Sequence, residues 1–451
     1  MLSNTWQGIR SRKRNKSGGL DEEYKSLLES FLKGFFVTFG DMENKVLIGL
    51  TGSFGSGCST LRKVLEEYYD FVSYKLSEEV REEAKKENID ESNRENLQNL
   101  GNSLRKEKGT NYLALRALEK AKQANGNRII FHGIRNFGEL KEFRKHADFY
   151  LIAVDCSKYN RWERLKGIYK GDFRLFERDD KRDKNEGLDY GQQVLRCVED
   201  ADIVFINDEN YTTQIKIQNT LRDLFRTHLD LITGDKLRNP TQEETMMTAA
   251  ATLALNSHCI KRRVGAVLCR FGYIISAAYN EVPGDQKKCL DEYGMCYRDH
   301  VRSEFNKGLL SNFTFCPICS KKLNIASGTI CKNCGKDLSY FIPQFKALDK
   351  CRSLHAEETV ILKVAGDQIN GSILYSTTFP CLQCAKRILH SGIKQIVYID
   401  PYPEEESIKM LESGGVKTEK FQGVKAQAYY KLFYPFREVL EKEIRDRLSS
   451  A

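Results

Sequence analysis

His355-Ala356-Glu357 and, further along, Pro380-Cys381-Leu382-Gln383-Cys384 are the stretches whose reading decides the fold of the C-terminal half of this chain. One histidine and two cysteines can hold a zinc ion through three protein ligands. A fourth position then stays open for water, which separates a catalytic site from a closed structural one. A glutamate two residues after the histidine stands where it can move protons for that water. The neighbouring residues predict the elements that would carry these groups. His355–Ala365 reads as a helix stopped by Gly366, and Ser372–Thr377 as a strand. Pro380 then opens a second helix, from Cys381 to about His390, closed by Ser391-Gly392. Cys381 and Cys384 are three residues apart and share one helical face. They fall in a first turn, where the helix dipole favours thiolates. Two helix N-termini are therefore expected to meet at one Zn2+, with His355, Cys381 and Cys384 as ligands and Glu357 as the catalytic acid and base. A redox-active or merely buried CxxC pair is the competing reading, and the placement of Glu357 and Pro380 counts against it.

A second decisive stretch lies near the other end. Lys45-Val-Leu-Ile-Gly-Leu-Thr51 has the pattern of a buried strand, and it runs into Gly52-Ser-Phe-Gly55-Ser-Gly57-Cys58-Ser59-Thr60 and then a helix from Leu61 to about Tyr69. Strand, glycine-rich turn and helix make a phosphate cradle from backbone N–H groups and a helix N-terminus. Against the pattern G-x-x-x-x-G-K-[ST], Gly52 and Gly57 match, Ser59 supplies the hydroxyl that would meet Mg2+, and Cys58 replaces the lysine. The missing lysine argues against phosphoryl transfer and for nucleotide binding. Ile129–Asn136 reads as another buried strand ending at a polar loop, which makes Arg135 a further phosphate contact. The arginines of 161–182 read either as a mobile basic lid or as a solvated helix face.

The rest of the chain bounds these readings. Its 451 residues suit two or three domains. A hydrophobic content of 41% and a charged content of 29% are those of an ordinary globular protein. No apolar run is long enough to span a bilayer. The basic N-terminus, with Arg10-Ser-Arg-Lys-Arg-Asn15, lacks the apolar core of a secretory signal. The net charge of +9 suits an anionic ligand. Fourteen cysteines without an export signal argue for metal binding and buried thiols in a reducing cytoplasm. The expected organisation is α/β throughout. A tail and short helix occupy 1–40, a P-loop domain 41–235 and a second domain 241–451 with an insertion at 304–346. Within that insertion, Cys316-x-x-Cys319 and Cys331-x-x-Cys334 read as two knuckles of a closed four-thiolate structural zinc site. Cys289, Cys296, His300 and Cys351 are spaced too irregularly for a definite metal site and default to buried thiols and a surface histidine.

These motifs carry resemblances. Arg262–Leu268 followed by Ala278-Tyr-Asn280, the His355-Ala-Glu357/Pro380-Cys-x-x-Cys384 pair and the strand at 392–398 resemble deoxycytidylate deaminases, with Ala278 where that family usually has glycine. The N-terminal region resembles nucleotide-kinase-like P-loop domains. The combination resembles bacterial anti-phage dCTP/dCMP deaminases. The resemblance implies a P-loop nucleotide-kinase-like domain fused to a cytidine-deaminase-like α/β/α domain with a zinc-knuckle insertion. It implies hydrolytic deamination of dCTP or dCMP, with Asn280 at the deoxyribose and a regulatory nucleotide at the P-loop. It also implies a homo-oligomer and a role in starving viral DNA synthesis, and it leaves open whether a small RNA or protein regulates the chain. The alternative activity is deamination of cytosine or adenine in tRNA or single-stranded DNA.

Overall fold

The computed structural model describes residues 45–434, apart from 124–125, 209–213, 237, 312–313, 325–328, 339–350 and 401–404, together with residue 445. The expected N-terminal tail and helix, and parts of the 304–346 insertion, lie outside the described residues. Two compact units form: residues up to Val198 with Asn207–Arg226, and Glu199–Ile206 with the chain from Thr227 onward. Among the described residues, no helix is long and apolar enough to cross a membrane.

In the first unit four parallel strands lie in the order β2-β3-β1-β4: β1 is Val46–Thr51, β2 Val72–Lys75, β3 Arg128–His132 and β4 Phe149–Asp155. Leu47, Ile48 and Leu50 of β1, Ile129–Phe131 of β3 and Phe149–Val154 of β4 are buried. Strands covered on both faces need such unbroken apolar runs. β1 and β3 end side by side, so the glycine-rich loop after Thr51 and the Gly133-Ile134-Arg135 turn emerge at one edge of the sheet. The helix after the loop spans Cys58–Tyr69, three residues earlier than the pattern predicts. Gly57 takes the N-cap at φ 117°, a left-handed conformation that releases the next residue straight into the helix.

The arginine-rich segment is built into this unit. It forms helices Lys158–Leu165 and Phe173–Lys184. Arg161 is fully buried and bonds Asp180 at 2.7 Å as well as the carbonyls of Cys156 and Phe54. Arg174 and Arg178, by contrast, are exposed, as a solvated face would have them.

The second unit contains a sheet in the order β10-β9-β8-β6-β7, with β6 Gly265–Arg270, β7 Tyr273–Tyr279, β8 Ile373–Thr378, β9 Gln395–Asp400 and β10 Lys417–Lys420. β6 runs antiparallel to β7 and β8, and β8, β9 and β10 are mutually parallel. The unit also holds β5, Ile203–Ile206, paired antiparallel with β11, Gly423–Val424. Alternate residues of β6 face opposite sides. Ala266 and Leu268 join Leu374 and Ile396 against the helices Ala356–Leu362 and Leu382–Ser391. Gly265 and Cys269 face the helix Gln242–Ala254 instead. A Cβ on Gly265 would lie 1.9 Å from the Ala250 carbonyl oxygen, so that helix rests directly on the strand backbone. Its start is fixed by a capping box between Thr241 and Glu244. The Glu244 carboxylate also accepts from Arg238 and from the Val424 N–H.

The helix predicted for His355–Ala365 is shorter, and Gly366 begins a further short helix, Gly366–Ile369, where it was expected to end the first. Val364 and Ile369 pack on the same core, which a straight continuation could not satisfy.

Arg161→Met should cost about 3 kcal/mol, because it removes the buried cation beside Asp180, leaving Lys184 at 3.0 Å, and takes the donor from the Cys156 and Phe54 carbonyls. Arg161→Met/Asp180→Leu should regain most of the loss. Chemical denaturation of the two variants checks both outcomes.

Candidate functional site

His355 and Cys381 are the N-cap residues of the helices Ala356–Leu362 and Leu382–Ser391, and neither side chain caps its own helix. The imidazole and the thiol are turned toward each other instead. His355 Nδ1 lies 3.4 Å from Cys381 Sγ and 3.3 Å from Cys384 Sγ. Tetrahedral zinc, with Zn–S near 2.3 Å and Zn–N near 2.0–2.1 Å, sets such N···S separations at about 3.6 Å. Three donors of the right chemistry thus sit at the spacing the ion requires. The Cys384 thiol and, against burial, His355 hold Cys381 down to about 4. Hydrogen bonds donated to Cys351 and Cys381 push His355 up to about 11.

Glu357 is 4% exposed. Its Oε1 accepts from the Ser376 hydroxyl at 3.4 Å, and its Oε2 lies 3.9 Å from Cys384 Sγ. Burial raises its pKa. A cavity of about 240 Å³ opens over this group and is also lined by Asn280, Lys261, Arg262 and Arg298. Asn280 is locked by its own bonds: Oδ1 accepts from Val264 N–H and Ser257 Oγ, and Nδ2 donates to the Arg262 carbonyl. Sequence patterns did not single out Cys351, Lys261 or Arg298 for this cavity, nor Ser376 as the partner of Glu357. Cys351, read as a default buried thiol, hydrogen-bonds the ligand histidine. Lys261 and Arg298 lie outside every motif, and no spacing signal could have found them.

The knuckle cysteines Cys316, Cys319, Cys331 and Cys334 also converge, their sulfurs all within 4.8 Å of one another. Cys316 and Cys334 are 3.9 Å apart, against about 3.8 Å for two thiolates on tetrahedral zinc. Each knuckle is closed by matching backbone bonds, Cys316 N to Lys321 O and Cys331 N to Lys336 O. Leu338 is buried beneath them. Among the described residues these two groups are the metal-competent clusters, and Cys289, Cys296 and His300 belong to neither.

In the N-terminal unit the loop Gly52–Thr60 lines a cavity of about 320 Å³ with His132, Arg135, Arg164 and Asn207. Gly52, Gly55 and Gly57 all have positive φ. A Cβ on Gly52 would meet the Val154 carbonyl oxygen at 2.4 Å, and one on Gly57 would meet Asn207 Nδ2 at 2.4 Å. Only glycine keeps this turn. Cys58 points its thiol back at the Thr51 carbonyl, 3.2 Å away, and burial raises its pKa. It stays neutral and supplies no cation in place of the absent lysine. Arg164 spends its guanidinium on the carbonyls of Gly55, Ser56 and Asn207. Arg135 pairs with Asp183, which also accepts from the Phe54 N–H.

The chain matches two protein families. Residues 240–400 match the cytidine and deoxycytidylate deaminase zinc-binding region, and residues 48–185 match an AAA domain. A deoxycytidylate deaminase of Schizosaccharomyces pombe is 26% identical over 310 residues, 65% of this chain and 77% of that protein. A UPF0200 protein of Methanococcus maripaludis is 30% identical over 189 residues, 40% of this chain and 99% of that protein. A dCMP deaminase from the cyanophage S-TIM5, solved in complex with dCMP and dUMP, is 22% identical, covers 41% of this chain and 100% of its own, and has a TM-score of 0.26.

Two zinc ions per chain are expected by elemental analysis. Cys381→Ser and Cys316→Ser should each remove one of them, and the double variant both.

Proposed function

Since this chain belongs to the UPF0200 proteins in its N-terminal region and carries a cytidine and deoxycytidylate deaminase zinc-binding region after it, we propose that it deaminates free deoxycytidine nucleotides, dCMP, dCTP or both. One observation carries the reading: a buried glutamate set against a three-ligand zinc site, inside a cavity with a cationic lining. Zinc held by His355, Cys381 and Cys384 supplies a Lewis acid that makes water a nucleophile near neutral pH.

The chain's own residues do the rest. Glu357 takes one proton from the attacking water and passes it to cytosine N3, then takes the second from the C4 hydroxyl and passes it to the departing amine. The C4–O bond forms, the C4–N bond breaks, and ammonia leaves a uracil base. Ser376 holds the carboxylate in place for both transfers. Asn280, fixed on three sides, contacts the deoxyribose. Lys261, Arg262 and Arg298 favour an anionic substrate. The four knuckle cysteines hold a second zinc that staples their insertion around Leu338.

The P-loop region is regulatory in this reading. Its neutral Cys58 supports nucleotide binding over phosphoryl transfer. Ser59 remains available for Mg2+ beside a bound phosphate. The resemblance to anti-phage deaminases supports depletion of deoxycytidine nucleotides as the biological role.

Purified protein given dCMP, dCTP, CTP and a cytosine-containing oligonucleotide should release ammonia from the free deoxynucleotides. Product from the oligonucleotide alone would overturn the reading. Glu357→Ala should keep both zinc ions and lower kcat by about 10²–10⁴-fold or more.

A further inference from the structure

The cavity over Glu357 holds a third sulfur beside the zinc ligands. Cys351 lines it together with His355, Glu357 and Cys381. Cys351 is not one of the group His355, Cys381 and Cys384, whose donor atoms all lie within 4.8 Å of one another. It is nevertheless hydrogen-bonded to the His355 ring. An imidazole has two nitrogens to offer. Nδ1 is turned to Cys381 Sγ at 3.4 Å and to Cys384 Sγ at 3.3 Å. Nε2 is the nitrogen left for Cys351, on the side of the ring away from the other two sulfurs.

The chain from Cys351 to His355 is held so that this contact persists. Leu354 pairs with Glu281 through two backbone bonds, Leu354 N to Glu281 O at 2.9 Å and Glu281 N to Leu354 O at 3.3 Å. The Ser353 N–H donates to the Cys351 sulfur and fixes where that sulfur sits. The sulfur is therefore placed as an acceptor. The His355 carbonyl accepts from the Thr359 N–H and hydroxyl, both at 2.9 Å, which sets its backbone. Its side chain makes no capping bond, so its own helix does not orient the ring. Two side-chain rotations are left to be fixed from outside. Metal-binding histidines commonly give their second N–H to a carboxylate, a carbonyl or water, which sets both tautomer and ring direction. Here a sulfur takes that place.

We infer that Cys351 is a positioning residue: its sulfur accepts the Nε2–H of His355 and so directs the Nδ1 lone pair to the zinc shared with Cys381 and Cys384. The inference rests on the zinc reading of this site and not on which nucleotide is deaminated.

The test sets Cys351→Ser, which keeps a hydrogen-bond acceptor, against Cys351→Val, which fills the space and keeps none. Competition with a chelator gives the affinity of each zinc in the full-length chain. The step missing from Cys381→Ser marks the zinc at His355, and the knuckle zinc is the internal reference. Cys351→Val should weaken the zinc at His355 by about 10–100-fold and leave the knuckle zinc unchanged. Cys351→Ser should hold close to the unaltered chain. Cysteine-to-cobalt charge-transfer absorption, read at saturating Co2+, counts the sulfur ligands and should be equal in all three proteins. Should valine lower the Tm, Cys351→Ala takes its place in the comparison. Equal zinc affinity in the serine and valine variants would overturn the proposal, as would equal weakening of both zinc ions. Charge-transfer absorption lost in Cys351→Val would make Cys351 a ligand and overturn it too. An unaltered chain holding zinc at the knuckles alone would overturn the zinc reading itself, and this inference with it.

Discussion

The C-terminal unit is organised around two helices whose first residues do not cap them. A helix start leaves backbone N–H groups open, and a side chain at the N-cap usually answers them. His355 and Cys381 occupy that position and turn away from it, toward each other. Bringing two such starts within bonding distance of one point demands a rigid frame. The strand order supplies it: β6 and β8 run side by side in the sheet, and the helices Ala356–Leu362 and Leu382–Ser391 pack together on the face of Ala266, Leu268 and Leu374. Gly265 lets the helix on the opposite face press against bare backbone, which fixes the sheet from behind. The ligand cluster is thus the place where packing on both faces is spent.

Much of this arrangement was legible in the residues, for a definite reason. Ligands three apart on one turn, and a glutamate two after a histidine, are local relations that periodicity converts directly into geometry. The knuckles are local in the same sense, each closed by its own short turn. The glycine-rich loop was legible because three left-handed positions in six residues admit only glycine. What escaped was everything set by distant approach. Cys351 touches His355, Ser376 touches Glu357, and Arg298 lines the same cavity, but no spacing links them. The helix break after Leu362 is equally non-local, since it follows from where Ile369 must be buried.

The two units contrast in how they treat polar groups. In the C-terminal unit Asn280 is held by Ser257, Val264 and Arg262, with one Nδ2–H not used by these bonds, so it presents a fixed face to the cavity. In the N-terminal unit one polar atom each of Gln98, Gln192 and Arg94 has no partner among the described residues. The first pattern suits a site that must hold a reacting group to a fraction of an ångström.

Asp183 shows what the second pattern needs in order to survive empty. Its carboxylate is fully buried and joins the Phe54 N–H to Arg135, with Arg94 3.7 Å away. It serves the loop as a resident anion, holding the same backbone and the same arginines that a phosphate would recruit. The bridge from the Phe54 N–H through Asp183 to Arg135 fixes the curvature of the loop. Little conformational entropy is then left to be lost on binding, so affinity at this edge of the sheet depends on contacts made and not on order created.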